Sequence, residues 1–196
     1  MSSNLKVAIV QAAPVFMNLA ASLDFAVRLI GEAAAKGAKL VVFGETWLPG
    51  YPAWLDYCPT AALWNHEPTK EVYADLRRNS LVLNSSETER LAKAAAENRV
   101  ALVIGVNERV DEGAGNGTLY NSLLTFNSDG LLINHHRKLK LLCSAPFFVA
   151  AKMYTRGGSK AKRRERLAMF FPVGMNGCAV YAKNQKSSAL TVNIVA

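Results

Sequence analysis

The chain lacks most of the features that betray a function directly. It has three cysteines in 196 residues, Cys58, Cys143 and Cys178. Being odd in number and widely spaced, they indicate neither a disulfide framework nor a CxxC metal pair. Any cysteine chemistry would be thiol chemistry. No apolar run approaches the roughly 20 residues of a membrane span, and Met1-Ser2-Ser3-Asn4 has neither the basic nor the apolar stretch of a signal peptide. A cytoplasmic protein with no membrane partner is the expectation.

Acids are scarce in one place only. Residues 139 to 196 carry 10 Lys and Arg against the single acid Glu165, whereas residues 1 to 138 carry 13 Lys and Arg against 14 Asp and Glu. The net charge of +8 therefore belongs to the tail. The first part is balanced like an ordinary enzyme domain, with a discontinuity near residue 138. The run Lys152 to Arg166 leaves open a non-catalytic protein that binds a polyanion through its tail. It carries no nucleic-acid motif and few interleaved aromatics, so no nucleic-acid partner is expected.

What is present is ordered β-α-β patterning. Leu5 to Gln11 reads as a buried strand. Asn18 can cap a helix whose Leu23, Val27, Ile30 and Ala34 share a face, and Gly37 suits its left-handed end. Leu40 to Phe43 is a second apolar strand, with a lone acid, Glu45, just past it and a Gly/Pro turn beyond. A carboxylate at the end of a buried strand is held by rigid backbone where ligands can reach, although such an acid is ordinarily just solvated.

Residues 53 to 85 read as a loop with a short helix near 67 to 79. Ser86-Glu87-Thr88-Glu89 reads as a capping box opening the next helix, which Asn98 closes. Val100 to Val106 is a third buried strand. The Gly-rich run 111 to 117 is followed by neither lysine nor helix, so it is a surface loop and not a phosphate cradle. Thr118 to Asn127 and Leu131 to His136 form a hairpin across Ser128-Asp129-Gly130. His135 and His136, as neighbours on a strand, face opposite ways and do not converge on one metal.

Assembled in this order, GAKLVVFGETWLPGYP, SETERLAKAAAE, LVIGVNER, TLYNSLLTFNSDG and HHRKLK resemble the nitrilase superfamily of carbon-nitrogen hydrolases. The wording ETWLPGYP is similar to the true-nitrilase and cyanide hydratase branch. The resemblance covers about residues 5 to 140. It implies an α/β fold, the α-β-β-α sandwich of the nitrilase type, here incomplete at the C-terminal end. It also implies a Glu-Lys-Cys triad that hydrolyses a nitrile to a carboxylic acid and ammonia through a cysteine thioimidate. Glu45 matches the general base and Lys138 the lysine that stabilises the tetrahedral intermediate. No metal or organic cofactor is implied. The implied partners are a small-molecule nitrile, or cyanide in a hydratase or dihydratase, and further copies of the chain.

After Lys138 the pattern departs. The second glutamate expected a few residues on is replaced by Leu139 to Ala145, and no Cys-Trp-Glu follows. Cys178 stands in NGCAV, Cys143 lies only five residues past Lys138, and Cys58 has no counterpart as nucleophile. The expectation is a hydrolase segment over 1–140 and an unrelated basic tail over 141–196, such as a changed reading frame produces. Such a chain carries Glu45 and Lys138 without their nucleophile.

Overall fold

In the computed structural model, residues 5–63 and 65–138 are described, together with the backbones of three short strands beyond them. Strand β1 (Lys6–Val10) leads to helix α1 (Leu19–Ala35) and strand β2 (Leu40–Val42). The Asn18 side chain accepts from the Ala21 amide at 3.0 Å, and Gly37 follows with φ +87°. These are the expected start and stop. The buried stripe of α1 centres on Leu23, Ala26, Ile30 and Ala33, so that Val27 and Ala34, expected at its centre, lie on its flanks.

Residues 53–85 contain more structure than their pattern suggested. A four-residue helix α2 (Trp54–Tyr57), helix α3 (Glu67–Arg78) and the short strand β3 (Leu81–Val82) succeed one another. The Trp54 and Tyr73 rings meet edge to face at 4.7 Å and pin α2 to α3. Helix α4 (Ser86–Asn98) is capped one residue earlier than the capping box implied. Ser85, not Ser86, accepts from the Thr88 amide, while Thr88 Oγ1 donates to the Val82 carbonyl and ties the helix start to β3.

Strand β4 (Ala101–Arg109) runs through Asn107 and Glu108 to Arg109, beyond the apolar run that announced it. A single 3₁₀ turn at Gly113–Gly115 precedes the hairpin of β5 (Leu119–Phe126) and β6 (Leu132–Arg137). Gly130 has φ +80°, and the Asn127 side chain accepts from the amides of Asp129 and Leu131 to close the turn. Further along, β7 (Phe148–Lys152) and β8 (Ala168–Pro172) pair with each other, and β9 (Thr191–Val195) lies beside β1.

The main sheet has the order β6-β5-β4-β2-β1-β9, with β3 also on β4. Neighbours β1, β2 and β4 are parallel, as a helical crossover between sequential strands requires, and the β4-β5-β6 part is antiparallel. One face is covered by α1 and α4: Ala8, Val10, Val41, Phe43, Leu102, Ile104 and Leu124 pack into a single core with Leu23, Ile30, Leu91 and Ala95. Alternation sends Val7, Ile9, Val42 and Val103 to the opposite face, where they form a second, smaller buried cluster. This sheet with its helical layer is one α-β half of an α-β-β-α sandwich. No helix among the described residues is long and apolar enough to cross a membrane.

Candidate active site

Glu45 owes its position to an interruption of the pairing between β2 and β4. Val42 pairs with Val103, and the Phe43 amide still reaches the Val103 carbonyl at 2.8 Å. Pairing then stops and resumes at Leu48, opposite Val106. Between those points the β2 side has five residues, 43–47, against two on β4, 104–105, so the surplus must leave the plane of the sheet. Thr46, with φ +47°, makes the bend and is buried.

The direction of that bulge is set by Gly105. A β-carbon there would stand 2.3 Å from the Gly44 carbonyl oxygen, so the backbone of the bulge occupies the space a side chain would take. Gly105 has the parity of Val103 and not of Ile104, so the bulge rises on the face away from the helices. Its ends are fastened. The Leu48 amide donates to the Gly105 carbonyl at 3.1 Å and the Asn107 amide to the Leu48 carbonyl at 2.7 Å. Asn107 Nδ2 donates to the Gly50 carbonyl at 2.9 Å. Trp47 Nε1 donates to the Ala12 carbonyl while its ring packs edge-on to Phe43.

On this same face the carboxylate of Glu45 meets two donors. Lys138 Nζ donates to Glu45 Oε1 at 2.6 Å, and Asn121 Nδ2 donates to the same oxygen at 2.5 Å. Asn121 comes from β5, and Lys138 follows β6, with its amide donating to the Asn121 carbonyl at 2.8 Å. The ion pair is largely sheltered: the Lys138 side chain is 22% exposed and that of Glu45 17%. Both donors fall on Oε1, which anchors that oxygen of the carboxylate. A sheltered carboxylate beside a fixed ammonium can take a proton from a nucleophile and offset negative charge developing nearby.

Glu45 and Lys138, 93 residues apart in sequence, are thus brought together. Asn121 was not singled out from sequence. Its signal is a polar side chain on the strand parity opposite to Leu124 and Phe126, and therefore on the face away from the helices. Cys58 is exposed just past α2; Cys143 and Cys178 lie outside the described residues. His135 turns toward the helix-covered face to meet Glu108 at 2.7 Å, and His136 takes the opposite parity. Among the described residues no three His, Cys, Asp or Glu side chains converge as a metal site.

Comparison with known proteins decides the lineage. A family model described as "Carbon-nitrogen hydrolase" matches residues 6–178. The chain belongs to the carbon-nitrogen hydrolase family. The match extends past residue 140. An arylacetonitrilase of Aspergillus oryzae is 36% identical over 138 residues, covering 70% of this chain and 38% of that protein. An arylacetonitrilase of Arthroderma benhamiae is 40% identical over 136 residues, 69% of this chain and 37% of that protein. A cyanide hydratase of Armillaria gallica is 39% identical over 135 residues, 69% of this chain and 35% of that protein. The chain therefore spans less than two-fifths of the length of these relatives. A solved alanine variant of the amidase from Nesterenkonia sp. AN1, in complex with butyramide, superposes with a TM-score of 0.50 at 15% identity. It covers 85% of this chain and 55% of that one, a likeness of fold. For this carbon-nitrogen hydrolase chain the nitrilase resemblance read from its motifs therefore holds.

Proposed function

We propose that this chain carries the base-and-cation half of a nitrile-hydrolysing site, with Glu45 as general base and Lys138 as the charge that stabilises the intermediates. The observation that carries the reading is the 2.6 Å contact between Lys138 Nζ and Glu45 Oε1 on a sheltered face. The names of the relatives point to arylacetonitriles as the substrate class, with cyanide as the second reading.

In the reaction, a thiol gives its proton to Glu45 as its sulfur adds to the nitrile carbon, and the nitrile nitrogen takes up the proton. Water adds to the thioimidate so formed and ammonia leaves, giving a thioester. A second water, deprotonated by Glu45, releases the carboxylic acid and the thiol. Negative charge on the attacked group is offset throughout by the Lys138 ammonium. None of Cys58, Cys143 or Cys178 is assigned as that thiol. The reading includes a separate basic segment over 141–196 and a chain with little or no turnover of its own. It also includes association between copies, which sedimentation of the purified chain would report.

The test combines binding and turnover. Phenylacetonitrile is expected to shift the Asn121 side-chain amide resonances of the labelled chain, and Lys138→Met to remove that response. Ammonia release from phenylacetonitrile, and formamide production from cyanide, are expected to stay at the buffer rate. No resonance shift up to the solubility of the nitrile overturns the site. Turnover that disappears in Cys178→Ala overturns the missing nucleophile.

A further inference from the structure

One cluster of titratable groups among the described residues takes no part in the Glu45 site. Glu108, near the end of β4, is only 1% exposed. Its Oε2 accepts from Ser122 Oγ at 2.5 Å and lies 2.7 Å from His135 Nε2. Its Oε1 accepts from Arg137 Nη2 at 2.5 Å and from Arg137 Nε at 3.1 Å. Ser122 belongs to β5, and His135 and Arg137 to β6, so one buried carboxylate bridges three adjacent strands. A buried carboxylate without such donors would be strongly unfavourable.

Strand β6 has little else to hold its register. A strand is normally locked by the side-chain alternation that buries one face, yet no residue of β6 is buried, and Leu132 and Ile133 are 39% and 53% exposed. The hairpin turn does not transmit a clean register either, because pairing shifts between Thr125 and Phe126. What distinguishes the observed register is that His135 and Arg137, two apart, both turn to the helix-covered face where Glu108 waits. Arg137 also lies over the Tyr120 ring, 4.2 Å from its centre.

Lys138 immediately follows Arg137 and takes the opposite face, the face of Glu45 and Asn121. A slip of one residue would turn Lys138 toward the helices, and His135 and Arg137 away from Glu108. We propose that Glu108, through His135 and Arg137, is a positioning residue that sets the register of β6 and so delivers Lys138 to Glu45. The proposal rests on reading Lys138 as the partner of Glu45.

The experiment uses the full chain, uniformly labelled with nitrogen-15, and two NMR readouts. These are the slowly exchanging Lys138 ammonium signal, assigned by its loss in Lys138→Met, and hydrogen exchange of the 132–137 amides against those of β1 and β2. In Glu108→Gln the ammonium signal is expected to vanish and the β6 amides to exchange about tenfold faster or more, with β1 and β2 unchanged. Glu108→Asp, which keeps the charge, is expected to restore part of the signal. An unchanged ammonium signal in Glu108→Gln overturns the proposal, as does loss of the signal with β6 exchange unaltered. If Glu108→Gln also exposes β1 and β2, Arg137→Lys takes its place. It is then expected to weaken the signal and speed β6 exchange, and no change in either overturns the proposal. Glu45→Gln tests the underlying pairing separately: a Lys138 signal indifferent to Glu45 removes the dyad reading, whatever β6 does.

Discussion

Gly105 lies directly against Glu45: a β-carbon on the glycine would stand 2.8 Å from Glu45 Cα and 2.6 Å from the Thr46 amide nitrogen. Those neighbours are backbone atoms and cannot rotate aside, so Gly105→Ala must push the bulge off the sheet. A loss of about 1–3 kcal/mol is expected from such overpacking, together with weakening of the Lys138 to Glu45 contact. Urea unfolding measures the first and the Lys138 ammonium signal the second. An alanine variant as stable as the parent would show that the bulge is not seated as described.

The Glu45 and Lys138 side chains should be energetically coupled. Their pair is neither solvent-screened nor fully buried, so a coupling of about 1–3 kcal/mol is expected, between the values for exposed and buried pairs. Glu45→Gln, Lys138→Met and the double variant, compared by urea denaturation, close the cycle. Coupling near zero would mean that the pair does not persist in solution.

Acid should destabilise the chain partly through Glu108. Burial works against its ionisation, but the hydrogen bonds from Arg137, Ser122 and His135 outweigh it and hold its carboxyl below the usual glutamate range. A depressed folded-state value means that the unfolded chain binds the proton first as pH falls. The stabilisation is therefore complete above the ordinary glutamate value, about 4.3, and is lost as pH drops through the folded-state value. Glu87 titrates in the same direction, lowered by its own backbone amide and by Ser85. The decisive comparison is with Glu108→Gln: between pH 7 and pH 3 its urea midpoint should fall less steeply than that of the parent. Parallel curves would contradict the assignment.

The two serines before α4 should behave differently on substitution. Ser85→Ala removes the acceptor for the Thr88 amide and should cost about 1 kcal/mol. Ser86, which is exposed and whose hydroxyl donates to the neighbouring Glu87 carboxylate at 3.1 Å, should tolerate alanine with little change. Thermal unfolding of the two variants side by side distinguishes them, and the reverse order would restore the capping box.

Much of this chain was legible in its residues because the rules involved are local. Apolar periodicity, the Asn18 cap, Gly37 and the Asp129-Gly130 turn each act within a few residues, and they define β1, α1, β2, α4 and the hairpin. The same locality explains the misses. Ser85 and Ser86 are adjacent equivalents until Thr88 binds Val82 and chooses the helix start, and the strand that continues through Asn107 and Glu108 is held by pairing with β5, not by its own apolar pattern.

The candidate site divides in the same way. Residue patterning alone set out the α/β order of the first 138 residues and the charge discontinuity after them, and the motif resemblance to the nitrilase superfamily singled out Glu45 and Lys138. The face on which they meet is set by how the strands pair in the folded chain. That choice depends on a side chain absent at Gly105, on the parity of Asn121, and on a buried carboxylate at Glu108 that selects which residues of β6 turn inward. Each of these is a relation between strands far apart in the chain, where facing direction changes with every residue and is settled only when the strands pair.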